Sequence, residues 1–402
     1  MTLTGAVTAD DIEAAARRIA GQVRETPVLP AGELSRRAGA RVLLKLENLQ
    51  LTGAFKLRGA ANKLARLPEA ELREGVVAAS AGNHAQAVAL AASRRGVRAT
   101  LCMPAGAPLA KVAAVRGYGG EVRLVEGGYD DAAAAAAELA ASTGRPLVHP
   151  FDDPDVIAGQ GTIGLELACQ APDVRCVVVP LGGGGLASGV AIAVKERLPG
   201  VRVVGVQAEA FAPFASGRAR RSPTTICDGI AVKRPGELTG PLVERWVDEV
   251  VTVTDDDVAQ AMVLLLERSK LVVEGAGAVG VAALMRGLVA PPEAGDVCVV
   301  LSGGNVDAGL LAECIRLGET AAGRRIVIGT VVPDRPGALA GLLRVIAERG
   351  ANVVDVTHLR DGMDLHVRET AVQLVLEVRG RDHAREIIGA VEDAGFAVHV
   401  ER

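Results

Sequence analysis

Between residues 41 and 301, short apolar runs follow one another along the chain, each separated from the next by a helical stretch. Residues 41–46, 75–79, 99–103, 121–125, 147–149, 176–179, 201–207 and 296–301 read as strands, and 58–67, 83–95 and 130–142 as helices between them. A strand with one wet face alternates apolar and polar side chains, so short runs without alternation imply strands covered on both faces. Parallel strands between two helix layers meet that condition. The pattern predicts a doubly wound α/β body over residues 1–320. One core seldom grows so large, so two lobes are expected, the smaller over about residues 48–150.

The chain then changes character. Residues 316–324 read as a short polar connector containing Gly318 and Gly323. Beyond it the pattern predicts strand 325–332, helix 338–349, strands 352–359 and 369–378, helix 382–394 and strand 396–400. This βαββαβ order is the ferredoxin-like plan, and Val372, Leu374, Leu376 and Val378 alternate as one helix-covered sheet face requires. A separate domain is therefore expected over residues 325–402.

Composition narrows the functions open to such a body. Its 402 residues include 48 Gly but only five Phe, two Tyr and one Trp, and 49% are apolar, enough to bury a core. Few rings and a net charge of −4 argue against nucleic acid as a partner. The longest uncharged run, 176–194, holds five glycines and a proline, so it reads as strand, loop and helix rather than a membrane span. Residues 1–11 show no secretory pattern, and Thr8 with Asp11 reads as a helix capping box. Cys102, Cys169, Cys176, Cys227, Cys298 and Cys314 have neither a C-x-x-C pair nor zinc spacing, so buried free thiols in a reducing cytoplasm are expected, with no metal site.

Four loops of small residues carry the candidate chemistry. In Thr52-Gly-Ala-Phe-Lys56, the lysine lies between Phe55 and Leu57, a setting that can desolvate the amine and make it a nucleophile or base. Ser80-Ala81-Gly82-Asn83-His84 lies between a strand and a helix, where backbone amides favour an anion, although an ordinary helix cap would look the same. Pro180-Leu-Gly182-Gly183-Gly184-Gly185-Leu186 repeats that arrangement with four glycines, which a plain turn rarely needs and a phosphate cradle does. Leu301-Ser302-Gly-Gly-Asn305 ends a strand and offers a neutral hydroxyl.

A dinucleotide site competes with this reading. Gly182-x-Gly184-x-x-Ala187 follows a strand, and Glu209 ends the next one. Gly275-x-Gly277-x-x-Gly280 has the same spacing without a following acid, and reads as a helix packed closely on the sheet. A nicotinamide-dependent oxidoreductase would leave Lys56 and Ser302 without a task, and takes second place.

Taken together, Thr-Gly-Ala-Phe-Lys56-Leu-Arg-Gly-Ala, Ser-Ala-Gly-Asn83-His, Gly182-Gly-Gly-Gly-Leu186 and Ser302-Gly-Gly-Asn resemble the threonine dehydratase (threonine ammonia-lyase) family of fold-type II pyridoxal-phosphate enzymes. The stretch Ile157-Ala-Gly-Gln-Gly-Thr-Ile163 agrees as well. The resemblance implies that Lys56 carries pyridoxal 5'-phosphate, Phe55 lies against its ring and Asn83 contacts its 3′-oxygen. By the same resemblance Gly182, Gly183, Gly184, Gly185 and Leu186 hold the phosphate and Ser302 faces the pyridine nitrogen. Ser80, Ala81, Gly82 and His84 then receive the amino-acid substrate. The implied reaction turns L-threonine into 2-oxobutyrate and ammonia, with L-serine giving pyruvate as a side activity.

Three departures bear on this. Ala54 stands where the family usually has serine. Ala81 stands where related serine racemases carry a serine base, which argues for a lyase. Glu209 matches one acid of the racemases' cation site, but Ala215 replaces the second. The last domain resembles the ACT family of amino-acid-sensing modules through Pro333-Asp334-Arg-Pro336-Gly337-Ala338-Leu339 and Asn352. That implies an effector such as isoleucine at those residues and a homo-oligomer, dimer or tetramer. A serine/threonine racemase, a serine dehydratase and a non-catalytic amino-acid-binding regulator are the remaining alternatives.

Overall fold

The computed structural model describes residues 7–215, 224–360 and 365–401. Contacts divide the chain into two compact units, Met1–Asp307 and Ala308–Arg402. The first contains strands β1 (Val28–Pro30), β2 (Val42–Leu46), β3 (Val76–Ala79), β4 (Ala99–Pro104), β5 (Glu121–Val125), β6 (Val174–Pro180), β7 (Arg202–Ala208), β8 (Glu249–Val253) and β9 (Asp296–Leu301). They form a six-stranded sheet in the order β1-β2-β9-β6-β7-β8 and a three-stranded sheet in the order β3-β4-β5. Every pairing is parallel except β1 with β2. These are the two lobes of an α/β body.

The expected strands recur within two residues, apart from 147–149, which meets β3 only through an isolated bridge between Leu147 and Val77. Two strands were not legible. β1 is three residues long, and β8 is an edge strand, mostly half-buried, that begins on Glu249. The large-lobe core is built from small aliphatics such as Val177, Val179, Val190, Val203 and Val300. The small-lobe core uses Leu57, Leu64, Val76, Leu101 and many alanines.

Small side chains let helix backbones touch. A Cβ added at Gly159 would lie 2.6 Å from Arg58 O, and one at Gly189 would lie 2.5 Å from Ile157 O. Helix Pro154–Gln170 is thus in backbone contact with helix Lys56–Arg66 on one side and helix Gly185–Arg197 on the other. Those two neighbours begin with the candidate lysine and the glycine loop.

Beneath helix Lys56–Arg66 lies a buried ionic cluster. Arg58, fully buried, donates from Nε and Nη2 to the Glu47 carboxylate at 2.8 Å each, and from Nη1 to Glu166 Oε1 at 2.6 Å. Lys45 Nζ donates to Glu166 Oε2 and to Thr26 O, both at 2.6 Å. Each charge has a partner, without which burial would be prohibitive.

The second unit opens with helix Ala308–Ala321, so most of the expected polar connector at 316–324 is helical. Contacts group this helix with the unit that follows it. Next come β10 (Arg325–Pro333), helix Ala338–Glu348, β11 (Asn352–Leu359), β12 (Glu369–Glu377), helix Arg381–Asp393 and β13 (Val398–Glu401). The sheet is antiparallel in the order β11-β12-β10-β13. Val372, Leu374 and Leu376 of β12 are fully buried against Leu342, Ile346 and Ile387 of the helices. All six cysteines are free, but Cys169 is exposed rather than buried, because it sits in the last turn of its helix. Among the described residues, no helix is long and apolar enough to cross a membrane, and no cluster of His, Cys, Asp and Glu has a metal-holding arrangement. Glu209 follows β7, with its amide bonded to Val253 O.

Candidate active site

Backbone hydrogen bonds stitch two of the four loops together. Phe55 N donates to Ser302 O at 3.0 Å, Gly304 N donates to Gly53 O at 2.8 Å, and Ala54 forms an isolated bridge with Gly303. Gly53 has φ +72°, and a Cβ there would meet Asn305 Oδ1 at 2.3 Å, so the close approach needs glycine. Lys56 is the first residue of its helix and Ser302 directly follows β9. Ser80 follows β3, its Oγ accepting from Gly82 N at 3.0 Å, and Asn83 opens the next helix. The loops therefore occupy carboxyl ends of parallel strands, where α/β folds bind ligands.

Phe55, Lys56, Ser80–His84, Gly182–Leu186 and Ser302 all line one cleft of about 1030 Å³ between the lobes. Phe55, Tyr129, Phe151 and Phe211 line it too, so half of the chain's eight rings border this space. Two ion pairs cross it, Lys111 to Asp228 and Asp130 to Lys233, each at 2.6 Å.

The glycine loop is constrained on its outer side. Gly184 has φ +96°, and a Cβ there would lie 2.8 Å from that of Thr239, while one at Gly183 would strike the Phe151 ring at 2.5 Å. Thr239 Oγ1 donates to Gly183 O at 2.6 Å. Among the described residues, the amides of Gly182, Gly183 and Gly184 donate to no protein acceptor. Unpaired amides ahead of a 13-residue helix form a ready anion cradle.

Burial governs the charges here. It lowers the Lys56 pKa to about 8, although the Glu274 carboxylate pulls the other way. Lys56 Nζ donates to Pro150 O at 2.7 Å and lies 5.1 Å from the Phe55 ring centroid. His84 is held neutral, with a pKa near 3, by burial and by the nearby Lys56 charge. Its Nε2 lies 2.8 Å from Val148 O, so that nitrogen carries the hydrogen. Glu274 is pushed up to about 7 by burial and by Asp228, against the hydrogen bond from Asn83.

This donor set fits pyridoxal phosphate: a desolvated lysine amine, a cradle of free amides, a flanking ring and a buried hydroxyl. A model of the pyridoxal-phosphate dependent enzyme family matches residues 19–303. The chain belongs to that family. Within it, the protein is 46% identical over 400 residues, 98% of its own length and 99% of the relative's, to an L-threonine ammonia-lyase of Thermotoga maritima. The catabolic L-threonine dehydratase of Escherichia coli is 45% identical over 308 residues, 75% of this chain and 94% of that one. Among solved structures, maize serine racemase superimposes with a TM-score of 0.72 at 36% identity, covering 77% of this chain and 97% of its own. An ACT domain model matches residues 326–393.

Sequence reasoning passed over Glu274, Lys111, Asp228 and Pro150, and assigned Asn305 no task. Glu274 had a visible signal, because it immediately precedes the glycine-rich helix Gly275–Met285, whose close packing was expected. In the ACT unit, Pro336, Gly337, Ala338 and Leu339 form the turn into helix Ala338–Glu348. Beside them Asp334 pairs with Arg360 at 3.0 Å. Asn352 is not with them. It donates to Glu377 at 2.8 Å, and Glu377 faces Arg325, the opposite end of β10 from Pro333. Eight residue steps of strand put about 26 Å between these groups within one copy.

Proposed function

We propose that this chain deaminates L-threonine to 2-oxobutyrate and ammonia, with L-serine as a second substrate. The observation that carries this reading is the convergence of Lys56, the glycine loop and Ser302 on one cleft. Identity of 46% to an L-threonine ammonia-lyase across nearly the whole chain supports the substrate.

When bound, pyridoxal phosphate supplies the electron sink that stabilises negative charge at the substrate Cα. Gly182–Gly185 and Leu186 would hold its phosphate, Phe55 would flank its ring and Asn83 would meet its 3′-oxygen. Lys56 would bear the covalent attachment. With a pKa near 8, its Nζ is well suited to accept the Cα proton at neutral pH. Ser302 is a neutral hydroxyl and cannot hold a pyridine nitrogen protonated as a carboxylate would, which favours prompt loss of the β-hydroxyl over racemisation. Ser80, Ala81, Gly82 and His84 would receive the substrate carboxylate at the start of helix Asn83–Arg94. Losing water and then exchanging the imine nitrogen for water's oxygen balances the sum: one threonine gives one 2-oxobutyrate and one ammonia.

The likeness to maize serine racemase favours one second reading, racemisation. Product analysis on L-threonine separates the two, 2-oxobutyrate against D-threonine. We further propose that the expected domains, 1–320 and 325–402, are the functional ones, with helix Ala308–Ala321 grouped by its contacts with the second. The ACT unit would answer to an amino acid such as isoleucine, in a homo-oligomer working in the cytoplasm, where free thiols persist. Effector contact by both Asp334 and Asn352 would require two copies, given their separation. Threonine saturation curves with and without isoleucine test the regulation.

A further inference from the structure

Asn83 is tied at both ends of its carboxamide. Its Oδ1 accepts from Asn305 Nδ2 at 2.7 Å, and its Nδ2 donates to Glu274 Oε1 at 2.7 Å. Asn305 has no freedom to exchange these roles, because its Nδ2 also donates to Thr52 O at 2.8 Å and so spends both hydrogens. Turning the Asn83 amide over would set its nitrogen against the Asn305 nitrogen and its oxygen against the Glu274 carboxylate. With Glu274 ionised, two hydrogen bonds would become two like-dipole contacts. The arrangement leaves Asn83 one N–H, and Asn83 lines the cleft.

Two glycines make room for the clamp. A Cβ at Gly53 would lie 2.3 Å from Asn305 Oδ1, and one at Gly303 would lie 2.3 Å from Glu274 Oε1. Glu274 is further fixed by its own amide, which donates to Gly303 O at 3.1 Å. Three side chains and the Thr52 carbonyl, from four separate segments of the chain at 52–53, 83, 274 and 303–305, meet around one carboxamide.

We infer that Glu274 and Asn305 are positioning residues that lock the Asn83 amide with one N–H presented to the cofactor's ring oxygen. This rests on the pyridoxal-phosphate reading above and adds two residues to it. Because both act through Asn83, removing Asn83 makes them dispensable for this purpose.

The test is a double-mutant cycle in full-length holoenzyme, following kcat/KM for L-threonine and the visible absorption band of the bound cofactor. Asn83→Ala and Glu274→Ala should each lower kcat/KM by about tenfold and shift the band alike, and the double variant should be no worse than Asn83→Ala alone. Asn305→Asp, which removes the donor to Asn83, should show the same shift, while Glu274→Gln, which keeps an acceptor oxygen, should restore the wild-type band. Multiplying losses in the double variant, or an unshifted band in Glu274→Ala and Asn305→Asp, would overturn the inference while leaving the cofactor reading intact. A wild-type protein with no cofactor band would overturn both.

Discussion

Lys56 Nζ donates to Pro150 O at 2.7 Å, joining the first turn of helix Lys56–Arg66 to the segment that runs from the small lobe into helix Pro154–Gln170. Burial in the cleft disfavours the charged amine, and the Glu274 carboxylate offsets only part of that cost. The outcome is a lysine that titrates near 8 rather than 10.5.

A pH dependence follows directly. Only the free amine attacks an aldehyde, and with a pKa of about 8 roughly one Lys56 in ten is free at pH 7 and most are free at pH 9. Cofactor attachment to the apoprotein should therefore accelerate as pH rises, with a midpoint near 8 in stopped-flow absorbance. A midpoint near 10.5 would mean that the cleft does not desolvate the lysine.

Gly184→Ala should impair cofactor binding more than its effect on folding would explain. A backbone at φ +96° strains any L side chain by about 1–3 kcal/mol, and the new methyl would strike Thr239. Equilibrium dialysis against pyridoxal phosphate, compared with a thermal melt of the same variant, checks the two effects separately.

The cluster beneath the lysine helix sets an acid limit on stability. Burial alone would raise the Glu47 pKa, but Arg58, with help from Lys45 and Thr26, more than reverses this and holds it below 4.5. The folded value lies under the unfolded one, so the contribution is present above pH 4.5 and is lost as pH falls through the lower folded value. Arg58→Leu would strand buried carboxylates and should destabilise the protein by about 3–5 kcal/mol in urea unfolding at pH 7. A loss under 1 kcal/mol would show that the cluster relaxes or neutralises itself.

The chain's own division gives a fourth prediction. A fragment ending at Asp307 holds every cleft residue named above, and the E. coli dehydratase matches 308 residues over 94% of its length. The fragment should bind pyridoxal phosphate and deaminate threonine but show no response to isoleucine. Steady-state curves for the fragment and the full chain, with and without isoleucine, decide this.

Much of the frame was readable because its strands are short, apolar and bounded by glycine loops. β9 and β11 fall on the residues expected of them. β8 was not readable because an edge strand tolerates Glu249 and Thr252, which break the apolar pattern. The helical end of Ala308–Ala321 was hidden by its polar residues and Gly318. The loop residues were legible because their chemistry is local, a lysine between apolar neighbours or a run of glycines. Glu274 and Asn305 matter through a partner about 200 residues away, and no local pattern carries that relation.

Threonine turnover by wild-type and Lys56→Ala holoenzyme, measured side by side as 2-oxobutyrate and ammonia, decides whether Lys56 drives the deamination. The wild type should release the two products in equal amounts, and borohydride reduction should leave the cofactor fixed to the peptide containing Lys56. Lys56→Ala should form no measurable 2-oxobutyrate while melting close to the wild type. Undiminished 2-oxobutyrate production by Lys56→Ala, or a wild type that returns only D-threonine, would contradict the account.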